Sequence, residues 1–208
     1  MPSLDWAVLE VLAGTQSGLG ASQIARLSAR GTRAGHAAVL DRLVAHGIVE
    51  AEPANQGYLY RLNRDHLVAP AILQVATLRS ELLRRIAAGI ASLDPAPVHA
   101  SVFGSFARGE AGETSDIDIL LIASEELDID TWDTTIEQLG SDTRRWTGNR
   151  CQFLTVSVAR ARELAQAHEA IVANWLEDEL RLAGEPLSSI VAGNRRSRRG
   201  SRNVEAPR

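Results

Sequence analysis

Apolar residues recur at helical spacing near the start of the chain and then give way to two short β-rich runs. Three helices are predicted there: residues 4–13, residues 21–27, and a third that begins after an N-cap at Thr32 and stops at His46-Gly47. Residues 48–51 and 58–62 are mostly apolar or aromatic, and a turn-forming Pro-Ala-Asn-Gln-Gly segment separates them. This pattern predicts a β-hairpin behind the three helices.

Longer helices and stronger strands are predicted in the rest of the chain. Residues 70–93 have the spacing of one amphipathic helix, which Asp-Pro-Ala-Pro ends. Strands are predicted over residues 98–103, 116–122 and 150–158, and helices over residues 131–139 and 161–182. His168 lies on the apolar stripe of the last helix, so we expect it to be a buried core histidine.

The order of these elements predicts an α+β protein. Three helices and a hairpin outline a winged helix-turn-helix, and the later strands predict a small mixed sheet with flanking helices. The predicted organisation has four parts: a winged helix-turn-helix over residues 1–68, a connecting amphipathic helix over 69–94, a second domain with its C-terminal helix over 95–191, and a disordered basic tail over 192–208.

Composition excludes several classes of protein. Among the 208 residues Cys151 is the single cysteine, which excludes a disulfide framework and a thiolate metal cluster. No apolar run approaches the ~18 residues of a membrane helix, and no basic signal region opens the chain. We therefore expect a cytoplasmic protein without a membrane partner.

Charge is spread unevenly along the chain. The net charge is −4, and all 22 basic residues are arginine. Residues 1–70 carry six arginines and six acids, residues 71–190 ten arginines and nineteen acids, and residues 191–208 six arginines and one glutamate. The first 70 residues are thus neutral, the next 120 acidic and the last 18 basic, which suggests units with different partners.

Two carboxylates stand at the start of the predicted strand 116–122. Asp116 and Asp118 point to the same face because side chains alternate along a strand. Carboxylates about 6.6 Å apart can converge on Mg²⁺, with Mn²⁺ as the alternative ion. The plain alternative is a solvated strand end with two surface acids.

A Gly-Ser turn follows the preceding predicted strand. Gly104 would let a phosphate approach the backbone closely, and the Ser105 hydroxyl can donate to a phosphate oxygen. Arg108, one turn later, can add charge-assisted hydrogen bonds to phosphate. The alternative is a tight turn with an incidental serine.

The segment from Gly104 to Asp118 resembles the signature of the DNA polymerase β-like nucleotidyltransferases, and above all of the minimal nucleotidyltransferases. Their motif reads Gly-Ser-x-Ala-Arg-Gly and then Ser-Asp-x-Asp, and the matching residues are Gly104, Ser105, Ala107, Arg108, Gly109, Ser115, Asp116 and Asp118. The resemblance implies transfer of a nucleoside monophosphate from a nucleoside triphosphate to a hydroxyl. Asp116 and Asp118 would be catalytic metal ligands, and Gly104, Ser105, Arg108 and Ser115 would bind the nucleotide.

The chain departs from this family at its third carboxylate, which a later strand supplies as metal ligand or base. The best-placed residue of the predicted strand 150–158 is Gln152, and an amide cannot take a proton. Glu110 or Glu113 could compensate. A nucleotide-sensing domain without full activity therefore stays open beside the enzyme.

Residues 1–68 resemble winged helix-turn-helix domains of the MarR and ArsR-like kind, on the run Leu-Asp-Arg-Leu-Val-Ala-His-Gly-Ile-Val at 40–49. This resemblance implies that the third helix enters the DNA major groove and that the wing touches phosphate. The DNA-facing residues would be Arg30, Arg33, His36, Tyr58 and Arg61. Use of the unit for dimerisation or protein contact is the alternative, since its net charge is zero.

Two functional hypotheses follow. The first is an Mg²⁺-dependent nucleotidyltransferase that moves NMP, with AMP expected, from NTP to a protein or RNA hydroxyl, as in antitoxin-like modification of a partner. The second is a DNA-binding transcriptional regulator whose impaired nucleotidyltransferase domain senses a nucleotide. A scaffold that forms a homodimer through the winged helix is a third option.

Overall fold

The structure is a computed structural model that describes residues 3–28, 31–55, 57–109, 115–124 and 129–192. It divides into two compact units, with the boundary between Glu81 and Leu82. Among the described residues, every helix is too short or too polar to cross a membrane.

The first unit combines helices with a small antiparallel sheet. Its elements are α1 (Leu4–Ala13), β1 (Leu19–Gly20), α2 (Ala21–Leu27), α3 (Arg33–Ala45), β2 (Val49–Ala54), β3 (Gly57–Leu62) and α4 (Ala69–Ala76). The strand order is β1-β3-β2. The hairpin of β2 and β3 confirms the sequence prediction, whereas β1 is too short to leave a period-2 signal.

Local capping explains where the third helix begins and ends. The Thr32 hydroxyl accepts the backbone N–H of Gly35 at 3.1 Å, which confirms Thr32 as the N-cap. Gly47 has φ +71° just beyond the C-cap His46, so the stop depends on a residue without a β-carbon. Buried Leu12, Ile24 and Leu40 join the helices in one core.

The prediction of one helix over residues 70–93 is wrong, because two helices occupy this stretch. The helix α4 ends at Ala76, and α5 (Leu78–Ile90) begins after Thr77. The Thr77 hydroxyl donates to the Gln74 carbonyl at 2.7 Å and competes with the helical hydrogen bonds of that turn. The predicted connecting helix therefore consists of two helices, and the boundary between the units falls within α5.

The second unit contains a four-stranded mixed sheet in the order β6-β5-β4-β7. Its strands are β4 (His99–Phe103), β5 (Ile117–Ala123), β6 (Cys151–Ser157) and β7 (Leu180–Gly184), and β5–β6 is the parallel pair. The further α-helices among the described residues are α6 (Gly104–Ala107), α7 (Asp133–Thr147), α8 (Val158–Gln166), α9 (Ala170–Asp178) and α10 (Leu187–Val191), and a 3₁₀ helix at Ile129–Trp132 precedes α7. Mixed helix and sheet confirm the predicted α+β class.

Strand β5 is the centre of the second unit. Ile119 and Leu121 face a core with Ile86 and Ile90 of α5, while Leu120 and Ile122 face a second core that includes Trp175. A strand covered on both faces needs apolar residues at successive positions, which explains the Ile-Leu-Leu-Ile-Ala run.

The prediction of a single helix over residues 161–182 is wrong. The chain turns at His168, which has φ +55°, and after α9 it continues as strand β7 antiparallel to β4. Apolar residues at positions 180 and 182 fit both the spacing of the preceding helix and the alternation of a strand. Periodicity therefore could not distinguish a continued helix from a new strand. His168 is exposed, which also corrects its prediction as a core histidine.

Candidate nucleotide and metal site

The two motif carboxylates lie where the central strand begins. Asp116 immediately precedes β5 and Asp118 is its second residue, while the intervening Ile117 is buried in the core. Strand register places Asp118 opposite Phe103 of β4 on one side and Gln152 of β6 on the other. The sheet therefore holds the Asp-x-Asp motif beside the end of β4, where the Gly-Ser turn starts.

Electrostatics mark this strand end as a place that favours a cation. The pKa of Asp118 is raised, mainly by burial and further by the negative charge of Asp116. Burial, and after it the negative charges of Asp118 and Asp116, raise the pKa of the Cys151 thiol to about 12. Added negative charge is thus disfavoured here, and Cys151 is not a nucleophile at neutral pH.

Carboxylate oxygens are the ligands that Mg²⁺ prefers, so the donor set of Asp116 and Asp118 fits this ion. The Gln152 amide donates through Nε2 to Oδ2 of Asp116. In the described part of the chain, no group of three or more His, Cys, Asp or Glu side chains is arranged to hold a metal. At this site the described residues therefore offer a metal ion two carboxylates, those of Asp116 and Asp118.

Gly104 opens the four-residue helix α6 with φ +74°. A β-carbon there would lie 2.7 Å from Oδ2 of Asp118, closer than real side chains approach. Both the left-handed backbone and this close approach require glycine. The sequence predicts that this glycine lets a phosphate approach; its contact with Asp118 is a second reason for glycine at this position.

Asp178 is the site residue that the sequence analysis missed. Its carboxylate accepts the backbone N–H of Gly104 at 3.2 Å and the Arg108 guanidinium Nη1 at 2.5 Å. The Asp178 side chain is only 4% exposed, whereas that of Arg108 is 45% exposed. The predicted helix over 161–182 hid this residue, since nothing in its spacing separates it from a helical surface acid.

The two motif serines lie close to these groups in the chain. Ser105 is partly buried in α6. Ser115 precedes Asp116, and its carbonyl accepts the Asn149 side-chain amide at 2.7 Å. Glu110 and Glu113, proposed as compensating acids, lie outside the described residues, as does the predicted tail from residue 193 onward.

The structure changes the set of residues predicted to face DNA. Arg33 is exposed at the start of α3, and Tyr58 is 54% exposed on β3. Arg61 is ion-paired with Glu50 and Glu52 of the neighbouring strand β2.

His36 is 2% exposed, so its prediction as a surface contact is corrected. Its ring donates through Nδ1 to the Thr32 carbonyl at 2.8 Å and lies 2.6 Å from the Ser28 hydroxyl, which ties α3 to the end of α2. Arg30 lies outside the described residues.

Comparison with protein families gives a match, and it falls within the second unit. Residues 83–177 match the nucleotidyltransferase domain family. This nucleotidyltransferase region covers less than half of the chain. It includes Gly104, Ser105, Arg108 and both motif aspartates, and it stops one residue before Asp178.

Other comparisons add little to the nucleotidyltransferase match. No curated protein matches the chain. A solved structure described as "Crystal structure of the toxin-antitoxin with AMP-PNP" shares 16% identity and covers 53% of this chain and 81% of its own, with a TM-score of 0.38. Similarity at this level supports no inference about fold or function.

Proposed function

We propose that the protein is an Mg²⁺-dependent nucleotidyltransferase that transfers a nucleoside monophosphate, with AMP expected, from NTP to a hydroxyl of a protein or RNA. The observation that carries this proposal is the close approach of Asp118, the second acid of the Asp-x-Asp motif, to Gly104 of the Gly-Ser turn, inside a region that matches the nucleotidyltransferase family.

Each side chain has a role in this proposal. Asp116 and Asp118 hold the metal, which would neutralise triphosphate charge and stabilise the leaving pyrophosphate. Ser105, Ser115 and the exposed part of Arg108 contact phosphate oxygens, since hydroxyl and guanidinium groups donate well to them. Gly104 maintains the backbone shape of the turn beside Asp118.

The transfer also requires a group that accepts the proton of the attacking hydroxyl. The hydroxyl oxygen forms a bond to the α-phosphorus, and the bond to the pyrophosphate oxygen breaks. Gln152 cannot take the proton because an amide is not a base at neutral pH. Glu110 and Glu113 remain the acids that the sequence offers near the motif.

Label transfer tests the enzyme directly. The protein is incubated with Mg²⁺, each α-labelled NTP and cell lysate, beside the Asp116→Asn/Asp118→Asn variant. Asp142→Asn is the matched control, since Asp142 is paired with Arg145 on α7 rather than with the site. We expect transfer by the wild type and the control but not by the double variant. Saturable Mg²⁺-dependent NTP binding without transfer would contradict the enzyme.

The second candidate is a nucleotide-sensing, DNA-binding regulator. The observation that favours it concerns Gln152, which is the register partner of Asp118 on β6 and whose amide donates to Asp116. An amide stands there where the enzyme would need a third carboxylate. In this proposal the first unit is a winged helix-turn-helix. The helix α3 would lie in the major groove, with Arg33 at its start, and the β2–β3 hairpin would be the wing.

An electrophoretic shift at low salt tests DNA binding. We expect a shift that weakens with salt and is lost in Arg33→Ala, because phosphate contacts release counterions. Arg160→Ala is the control, since Arg160 lies on α8 of the second unit and is paired with Glu163. Equal shifts for both variants, or no shift at low salt, would contradict the proposed interface.

A further inference from the structure

Strand β7, which follows α9, pairs with β4, which precedes α6. This pairing brings the end of α9 close to the start of α6. Leu180 of β7 is paired with Val102 of β4 in antiparallel register. Asp178, the last residue of α9, lies two residues before Leu180, and Gly104 lies two residues after Val102; the Gly104 N–H donates to the Asp178 carboxylate at 3.2 Å. The same register that adds β7 to the sheet therefore brings a carboxylate to the Gly-Ser turn.

An aromatic contact holds α9 against this turn. Trp175, fully buried one helical turn before Asp178, packs edge-on against Phe103 with ring centroids 6.3 Å apart. Phe103 immediately precedes Gly104. The position of Asp178 is therefore set both by strand pairing and by a buried aromatic pair.

Hydrogen bonds from Gly104 and Arg108 orient the Asp178 carboxylate. It accepts from the Gly104 backbone and from Arg108, and its 4% exposure leaves little room for water. Loss of either donor would leave part of a buried charge unsatisfied, which is costly. The guanidinium carries five N–H donors, so one edge can stay on Asp178 while the exposed part of Arg108 contacts another anion.

We propose that Asp178 is a positioning residue for the nucleotide site: it fixes the Gly104 backbone and orients Arg108 toward the triphosphate. This inference rests on the proposed NTP binding. Asp178 acts through Arg108 and Gly104, and it does not contact the nucleotide itself. A competing role, in which the carboxylate occupies the place of a phosphate, predicts the opposite effect of its removal.

Nucleotide titration of the full-length protein with Mg²⁺ and ATP tests this role. Asp178→Asn keeps the side-chain size but removes the charge, and we expect the Kd to rise about tenfold or more, the scale of a lost charged hydrogen bond. Glu163→Gln removes an acid of an exposed pair on α8 and should leave the Kd unchanged. Asp178→Glu keeps the charge and should bind ATP better than Asp178→Asn.

A double-mutant cycle separates positioning from general stability. If Asp178 acts through Arg108, Asp178→Asn should weaken ATP binding much less in an Arg108→Gln background than in the wild type. Additive effects on binding, or tighter binding by Asp178→Asn, would overturn the inference. If the wild type binds ATP and Asp178→Asn binds it equally well, the role of Asp178 is overturned and the proposed function is not. If the wild type does not bind ATP, the proposed function is overturned as well.

Discussion

The Cα of Gly104 lies so close to Asp118 that a β-carbon at this position would be 2.7 Å from Oδ2 of the carboxylate. The turn that ends β4 and the acid that begins β5 are therefore fitted to each other. A change in one displaces the other, and several tests of the site follow from this arrangement.

Gly104→Ala should weaken Mg²⁺-dependent NTP binding at least tenfold. The new methyl group would push Asp118 aside, and the left-handed backbone adds a cost of about 1–2 kcal/mol to the free energy of unfolding. Isothermal titration and urea denaturation measure the two effects.

Gly109→Ala is the matched control for this change. Gly109 has the same φ of +74°, but a β-carbon there would meet no described atom within 4 Å. We expect a similar loss of stability with little change in NTP binding. Equal losses of binding in both variants would show that backbone strain, rather than the approach to Asp118, is responsible.

Gln152→Glu should raise the rate of nucleotidyl transfer if a missing carboxylate limits the reaction. The new acid replaces an amide that donates to Asp116, so it should also lower stability in chelator and increase the stabilisation by Mg²⁺. Label transfer and thermal melting with EDTA or Mg²⁺ measure these effects.

Gln138→Glu controls for the loss of an amide–carboxylate hydrogen bond. Gln138 on α7 donates to Asp142 at 3.0 Å, so its substitution makes the same chemical change elsewhere. We expect no gain in transfer and no added effect of Mg²⁺. An unchanged transfer rate in Gln152→Glu would show that the amide is not what limits the reaction.

Buried His99 should make folding less favourable as pH falls. Burial lowers its pKa from 6.5, although hydrogen bonding to the Glu185 carbonyl and the charge of Glu179 oppose this. Its Nδ1–H donates to that carbonyl at 2.7 Å, so Nε2 accepts from the Ser101 hydroxyl at 2.8 Å. The neutral ring therefore suits its surroundings.

The unfolded chain takes up a proton on His99 near pH 6.5, whereas the folded chain resists protonation until lower pH. Below about 6.5 the free energy of unfolding should therefore decrease, and above it His99 should contribute no pH dependence. Urea denaturation between pH 5 and 8 measures this. His99→Gln should reduce the decrease, and exposed His168→Gln should leave it in place; the reverse result would contradict the assignment.

Neutralising the acids that pair with Arg61 should strengthen DNA binding by the proposed wing. In Glu50→Gln/Glu52→Gln, Arg61 loses its pairing across β2 and β3 and becomes available to phosphate. One more phosphate contact should steepen the slope of log K against log salt by about 0.9. Fluorescence anisotropy over a salt series measures the slope, and exposed Glu10→Gln is the control. An unchanged slope would remove Arg61 from the interface.

Much of the fold was predictable from local pattern. Thr32 and Gly47 mark the ends of α3 because capping and left-handed backbone leave signals in single residues. The buried apolar run of β5 is equally local. The turn at Thr77 and the left-handed His168 were not predicted, since apolar spacing continues across both breaks.

The Gly-Ser and Asp-x-Asp elements of the candidate site were visible in the sequence, because their residue types and spacing are properties of the chain. The position of Asp178 beside Gly104 and the burial of His36 depend on the folded arrangement of the chain. Asp178 reaches Gly104 through the pairing of β7 with β4, between segments more than seventy residues apart. Pairing over such a distance depends on which strands find one another in the folded sheet, and no local pattern records that choice.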